Sequence, residues 1–201
     1  MYKIDWELTQ QIWSSFSSVG LLLAAFLGLR TWRQQLFGTS QFQTAKSALM
    51  HAYKVQSAIQ AVRAPSLYIS QKDIDEGRKV EAEQDIYQER MAALGKEWVE
   101  LQAVRIEAKA MFGVKGYDSF KILDEKIGKL RGALWLHFWM LGAYAGPFAT
   151  VDKSPDRIER NNRIVYYVSE EDEFSQEIAL AVSEIEKYFS DKIQMRWWQF
   201  Q

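Results

Sequence analysis

Residues 12–29 read IWSSFSSVGLLLAAFLGL, and residues 8–29 contain no charged side chain. Trp13 and Trp32 lie nineteen residues apart. In an α-helix that separation corresponds to about 28 Å, which suits a hydrocarbon core of roughly 30 Å with aromatic residues at its two boundaries. The pattern predicts a single transmembrane helix near the N-terminus.

Positive charges follow this stretch, at Arg30 and Arg33. Because basic residues favour the cytoplasmic side, we expect the N-terminus outside and the rest of the chain in the cytoplasm. A cleaved secretory signal is the main alternative, but its positive charge would precede the apolar run, and no A-x-A-like site precedes Arg30. The chain is therefore divided into an anchor, residues 1–37, and a bundle, residues 38–201.

The predicted span carries small residues on one face and polar residues on an adjacent arc. The small residues, which are typical of closely packed membrane helices, are Ser17, Gly20, Ala24 and Gly28. The polar residues are Gln11, Ser14, Ser15 and Ser18. Together they predict a homo-oligomer that packs through the small residues and lines a pore with the polar ones. The alternative is a lone anchor, in which the serines bond to their own helix backbone.

Four further helices are predicted, because apolar residues recur three and four positions apart along the rest of the chain. Their approximate ranges are 42–63, 80–112, 120–146 and 169–192. A turn is expected at 38–40, and residues 147–168 are predicted to be irregular, with a short strand considered at 164–168. Residues 132–151 are also uncharged, but Pro147 would end that helix too early for it to cross a bilayer. The predicted fold is all-α, a single transmembrane helix followed by a cytosolic four-helix bundle.

The composition excludes several kinds of chemistry. The chain has no cysteine and two histidines, so it forms no disulfide, thiolate zinc site or three-histidine metal site. Its 25 basic and 26 acidic residues give no reason to expect DNA binding. The common nucleotide-binding, zinc-protease, hydrolase and calcium-binding motifs do not occur. We expect neither a metal nor a cofactor.

Two polar residues interrupt the apolar seams of the predicted bundle. Arg105 falls between apolar positions of the long helix, and the turn after that helix places Arg105 opposite Asp124. We therefore predict an Arg105–Asp124 salt bridge. His137 lies on the apolar side of the next helix, where a hydrogen-bonded core histidine is more common than a reactive one.

The segment 131–137, RGALWLH, places an arginine and a histidine with five residues between them. It resembles the R-x(4–6)-H signature of HEPN domains, which are compact four-helix bundles. The resemblance implies that Arg131 and His137 are catalytic, with the histidine as general acid or base and the arginine holding a phosphate. Gly132 departs from the pattern, and six positions along one helix direct the two side chains about 120° apart. Together with the predicted span, the segment resembles the membrane HEPN-like accessory protein of type VI CRISPR systems.

The C-terminal segment 195–200, MRWWQF, is unusually aromatic. Three interpretations are open: it lies in the membrane interface, it docks onto a neighbouring subunit, or it covers the end of its own bundle. The residues expected at the membrane interface are Trp13, Arg30, Trp32, Arg33, Trp197 and Trp198.

The resemblance implies an oligomeric effector of the bacterial inner membrane, a pore that depolarises the membrane in antiviral defence. We favour this function and regard an enzyme as the weaker possibility. The expected partners are the lipid bilayer and further copies of the chain, and the resemblance adds an RNA-guided nuclease or another defence protein. One alternative is a membrane-tethered ribonuclease that uses Arg131 and His137. The other is a membrane-anchored adaptor that recruits a partner through its helical bundle.

Overall fold

The computed structural model describes residues 6–144 and 152–194, and within these ranges the side chains of residues 6–12, 14–19 and 194 are outside the description. The chain divides into two compact units, Met1–Gln43 and Thr44–Gln201. All regular secondary structure in the described ranges is helical. The helices are α1 (Trp6–Arg63), α2 (Gln71–Asp75), α3 (Lys79–Phe112), α4 (Val114–Asp118), α5 (Lys121–Leu141), α6 (Pro155–Val165) and α7 (Glu173–Gln194).

The predicted transmembrane helix is wrong. None of the helices in the described ranges combines the length and the hydropathy that crossing a membrane requires. Four serines interrupt the apolar pattern between residues 14 and 18, and the uninterrupted apolar run from 19 to 29 has only eleven residues. Eleven helical residues extend about 17 Å, little more than half of a bilayer core. The predictions of a single-pass anchor, an inner-membrane location and an N-terminus outside the cell all depended on that span, so they are not supported.

The pore-lining and membrane-interface roles depended on a span, which the described helices do not provide. The side chains of Gln11, Ser14, Ser15, Ser17 and Ser18 lie outside the described part of the structure, as do Trp197 and Trp198. The other residues of those groups are all exposed, namely Trp13, Gly20, Ala24, Gly28, Arg30, Trp32 and Arg33.

Helix α1 is continuous over 58 residues, so the turn predicted at 38–40 is also wrong. A single glycine inside a helix costs only about 1 kcal/mol, which neighbouring turns can offset. The hydroxyl of Thr39 donates to the backbone carbonyl of Gln35 at 2.9 Å, so this polar side chain is satisfied within the helix. The helix ends at Arg63, as predicted, because Pro65 disfavours helical geometry in the residue before it.

The second unit is a helical bundle with one hydrophobic core. The C-terminal part of α1 contributes a seam spaced three and four residues apart, each residue 0% exposed: Ala45, Ala48, Ala52, Val55, Ile59 and Val62. Helices α3, α5 and α7 complete the core with side chains at the same spacing. The helical bundle inferred from apolar periodicity is therefore confirmed, and the bounds of α3 agree with the prediction to one residue.

The reversal of direction between α3 and α5 depends on two glycines. Gly113 ends α3 with a φ of 73°, a left-handed value that favours glycine. At Gly116, a Cβ atom would lie 2.8 Å from the backbone carbonyl oxygen of Ala108, so a larger residue would push α4 away from α3. The predicted ion pair lies beside this turn, where Arg105 Nη1 contacts Asp124 Oδ2. The Arg105–Asp124 prediction is confirmed.

Helix α6 corrects the prediction that residues 147–168 are irregular. It begins after Ser154 with Pro155 in the first helical turn, a position where the missing proline N–H costs nothing. The helix is strongly polar and buries only Asn161 and Val165 within its bounds, so apolar spacing gave little sign of it. The strand considered at 164–168 does not form: Val165 is helical, and Tyr166 is the C-cap.

The guanidinium of Arg63, which is 0% exposed, fastens the connection between α6 and α7 to the end of α1. Its acceptors are Ile164 O (2.8 Å), Ser175 Oγ (2.7 Å), Arg163 O (3.1 Å), Tyr166 O (2.9 Å) and Asp172 Oδ1 (3.0 Å). In return, the backbone carbonyl of Arg63 accepts from the N–H of Tyr167 at 2.8 Å. One side chain thus satisfies the carbonyl groups of Arg163, Ile164 and Tyr166, which lie at the C-terminal end of α6 and have no N–H partner in the next turn of that helix.

Replacing this arginine should destabilise the bundle strongly. We expect Arg63→Met to lower the free energy of unfolding by about 3–5 kcal/mol, because Asp172 and the carbonyl groups lose their buried donor. Urea unfolding followed by circular dichroism measures the change. Arg160→Met is the matched control, since Arg160 is exposed on α6, and it should change the value by less than about 0.5 kcal/mol. Equal effects of the two substitutions would contradict this role of Arg63.

Asp172 makes the same connection sensitive to acid. Burial raises the pKa of Asp172, but hydrogen bonds from the Ser175 N–H and from Arg63 outweigh burial and bring it below its ordinary value of 3.8. A lowered folded-state pKa contributes stability that is present above pH 3.8 and is lost as the pH falls through the folded pKa. The stability difference between the wild type and Asp172→Asn should therefore shrink below that pH. A difference that grows on acidification would contradict the assignment.

Candidate functional site

His137 is a buried core residue that links two helices. It lies on α5, is 7% exposed, and its Nε2 atom donates to Oε1 of Glu83 on α3 at 3.0 Å. Glu83 is also 7% exposed. The hydrogen-bonded core histidine expected from the apolar seam is confirmed. The sequence did not reveal Glu83, because a glutamate near the start of a charged helix has the signature of a solvated residue.

Aromatic rings surround the His137 imidazole. The ring centroids of Phe138, Tyr166 and Tyr87 lie 5.2, 5.8 and 6.2 Å from it. Burial raises the pKa of Tyr87 well above its usual value, and burial together with the Glu83 charge raises that of Tyr166. Both phenols are therefore neutral near pH 7. The surrounding rings and Glu83 leave His137 only 7% exposed.

Arg131 lies on a different face of α5 and is exposed. Among the described residues it has no hydrogen-bond or ion-pair partner, whereas His137 is enclosed by α3 and the residues after α6. Within one chain, the helix geometry separates the two side chains instead of directing them to a common point. The catalytic roles that the resemblance implies for Arg131 and His137 remain predictions, and the fold of a single chain does not assemble them into one site.

Arg131 instead shares its face with two tryptophans, which follow it at intervals of four residues. The rings of Trp135 and Trp139 have centroids 5.0 Å apart, and Tyr144 stacks on Trp135 at 6.4 Å with an interplanar angle of 12°. Gln84 donates to the Tyr144 hydroxyl at 3.0 Å. The R-x5-H pattern relates Arg131 to His137 and does not predict this outer aromatic face. The signal that indicates it is the four-residue spacing of positions 131, 135 and 139.

The first unit carries the largest group of exposed apolar side chains among the described residues. Nine large side chains between residues 21 and 37 are 55–70% exposed: Leu21, Leu22, Leu23, Phe26, Leu27, Leu29, Trp32, Leu36 and Phe37. Single exposed apolar residues are ordinary on protein surfaces, but a continuous group of this size marks an interaction surface.

The described residues offer no metal site. No group of three or more histidine, aspartate or glutamate side chains is arranged to hold an ion in those ranges. An open cleft of about 540 Å³ lies along α6, lined by Pro155, Ile158, Glu159, Asn162, Arg163, Tyr166 and Val168. It is mostly apolar, and Arg163 is already paired with Glu159 at 2.6 Å.

Substitutions at His137 and Arg131 should separate a structural residue from a surface residue. His137→Ala leaves Glu83 buried without its donor, so we expect the free energy of unfolding to fall by about 2–3 kcal/mol. Arg131→Ala should change it by less than about 0.5 kcal/mol. Chemical denaturation measures both values. A ribonuclease activity of the purified chain that both substitutions abolish, with no loss of stability, would contradict this interpretation.

No protein-family model, no curated protein and no solved structure matches this chain. The suspected relationship to the HEPN-like accessory proteins accordingly stays a prediction, and the function is argued below from the geometry of the chain itself.

Proposed function

We propose that this protein is a self-associating adaptor without catalytic activity. Its exposed apolar helix, defined as residues 20–37 of α1, holds copies of the chain together, and its helical bundle presents surfaces to another protein. The observation that carries the proposal is the group of nine large apolar side chains that this segment leaves 55–70% exposed.

The side chains of the exposed apolar helix favour burial against other protein. A helix that is hydrophobic around its circumference is stable in water only when other protein surrounds it. Burying a leucine or phenylalanine side chain contributes about 1.5–3 kcal/mol, so nine such residues provide a large driving force for association. The first polar interruption after residue 20 comes at Arg30, which leaves almost three apolar turns available for contact.

A second copy of the same helix is the occupant that the small residues favour. Gly20, Ala24 and Gly28 recur every four residues, and a Cβ atom placed on either glycine would meet nothing within 4 Å. Small residues at this spacing let two helix backbones approach closely, while the neighbouring leucines pack around the contact. Arg30 and Arg33 have no ion-pair partner among the described residues and remain available at the edge of the assembly.

The bundle supports an adaptor more than an enzyme. Three of its buried polar residues, Arg63, Glu83 and His137, have partners inside the fold. Arg131, Trp135 and Trp139 lie on the outer surface of α5, where Arg131 has no ion-pair partner among the described residues. Tryptophan, tyrosine and arginine are the residues that most often dominate the energy of protein interfaces. A defence protein, including an RNA-guided nuclease, remains the partner class that the resemblance implies.

The association can be tested by its mass in solution. Wild-type full-length chain should sediment as a discrete assembly of several 23.4 kDa chains in detergent-free buffer. The double substitution Leu22→Glu with Leu29→Glu places charges seven residues apart on one side of the helix, and it should reduce the mass of the assembly. Sedimentation velocity at micromolar concentration measures both species.

The control is Leu180→Glu, which changes a leucine of α7 that is 68% exposed. It should leave the mass of the assembly unchanged. Equal masses for the wild type and the Leu22/Leu29 variant would contradict the proposal. So would a chain that floats with phospholipid vesicles instead of forming a discrete protein assembly.

A further inference from the structure

The outer face of α5 carries two glycines followed by two tryptophans. Gly128, Gly132, Trp135 and Trp139 follow one another at intervals of four, three and four residues, which places them in one stripe along the helix. Both glycines are exposed, Trp135 is 54% exposed, and Trp139 is partly buried. The same spacing is typical of the seam through which two helices pack. We call these four residues the Gly–Trp seam.

Within residues 6–144 and 152–194, no contact or backbone angle requires glycine at the two seam positions. Gly128 and Gly132 lie inside α5, where glycine destabilises a helix relative to alanine. Neither has a positive φ, and a Cβ atom on either would meet no atom within 4 Å. The open space above these glycines therefore suits a group that approaches from outside the chain.

The tryptophans of the seam are held in place before any partner arrives. Trp135 lies between Trp139 at 5.0 Å and Tyr144 at 6.4 Å, and Tyr144 is hydrogen-bonded to Gln84 on α3. Aromatic side chains that are already ordered lose little conformational entropy on binding. They are also large enough to fill the space that a glycine leaves on a facing helix.

We propose that two copies of this chain pair through α5 in antiparallel orientation. In antiparallel helices that pack through such a seam, positions whose numbers add to a constant face each other. Trp135 then covers the partner's Gly132, and Trp139 covers the partner's Gly128, since both pairs add to 267. The two-fold symmetry repeats each contact, so four tryptophans meet four glycines. A tryptophan therefore faces a glycine in each of these layers. A second copy of the chain provides this complementary surface, and no other protein is needed.

The charges beside the seam are compatible with this pairing. Lys129 lies at its edge but is neutralised within its own chain by Glu177, with Nζ 2.9 Å from Oε2. Arg131 has no ion-pair partner among the described residues. It is adjacent to Gly132, so its guanidinium would lie next to the ring of the partner's Trp135, where a cation–π contact is favourable. This interface is separate from the exposed apolar helix of α1 and does not depend on it.

The test is made in the Leu22→Glu, Leu29→Glu background, which removes association through α1. Sedimentation equilibrium of the full chain should give a dimer, twice the 23.4 kDa of one chain. Gly132→Leu should raise the dissociation constant about thirtyfold or more, the effect of losing a hot-spot contact. The same substitution should leave the folded monomer at least as stable, because leucine is the better helix former.

Gly95→Leu is the matched control, because Gly95 also lies inside a helix with open space around its Cβ position, on α3. It should leave the dissociation constant unchanged. A rescue completes the test. Gly132→Trp and Trp135→Gly should each weaken the dimer, whereas the double variant exchanges the two residues, keeps every large-to-small layer, and should restore dimerisation.

Three results would overturn the proposal: a monomeric parent variant, a Gly132→Leu variant that dimerises normally, or a double variant that is not rescued. Each leaves the mass difference between the wild type and the Leu22/Leu29 variant unaffected, so failure here is distinguishable from failure of the proposed function.

Discussion

The buried guanidinium of Arg63 is the interaction on which the second unit depends. It ends α1 and gathers the carbonyl groups of Arg163, Ile164 and Tyr166 together with the side chains of Asp172 and Ser175. Without it, the connection from α6 to α7 would bury several acceptors with no donor, at a cost that a bundle of this size could not absorb. The same contact keeps Tyr166 beside His137, so the environment of the histidine also follows from Arg63.

The two residues of the R-x5-H pattern lie on different faces of helix α5. Its inner face carries His137, whose bond to Glu83 joins α5 to α3. Its outer face carries Arg131 with Trp135 and Trp139, whose rings have centroids 5.0 Å apart. A motif defined by sequence separation alone does not record which face of a helix each residue occupies. Here the two faces serve different purposes, core packing on one and an interaction surface on the other.

The fold was more predictable than the candidate site. Apolar spacing located α3 and α5 because their seams are long and regular, and it placed Arg105 against Asp124 because one short turn joins the two helices. It overlooked α6, whose residues are mostly polar and whose stability comes from Pro155 and from contacts with α5. It divided α1 at residues 38–40, since a lone glycine beside threonine and serine has the local signature of a turn. The apolar run before Arg30 reaches the length of a membrane span only when the serines between residues 14 and 18 are included in it.

The sequence by itself determined the helical class, the seams of the bundle and the absence of thiol chemistry, because these follow from residue type and from the 3.6-residue period. The residues of the exposed apolar helix of α1 and of the Gly–Trp seam are also determined by the sequence, because each set recurs at helical spacing within one helix. Only the tertiary structure decided that Glu83 is the partner of His137 and that Arg63 is buried with five acceptors. Those contacts join residues 54 and more than 100 positions apart, and no local pattern specifies which distant residues a fold brings together.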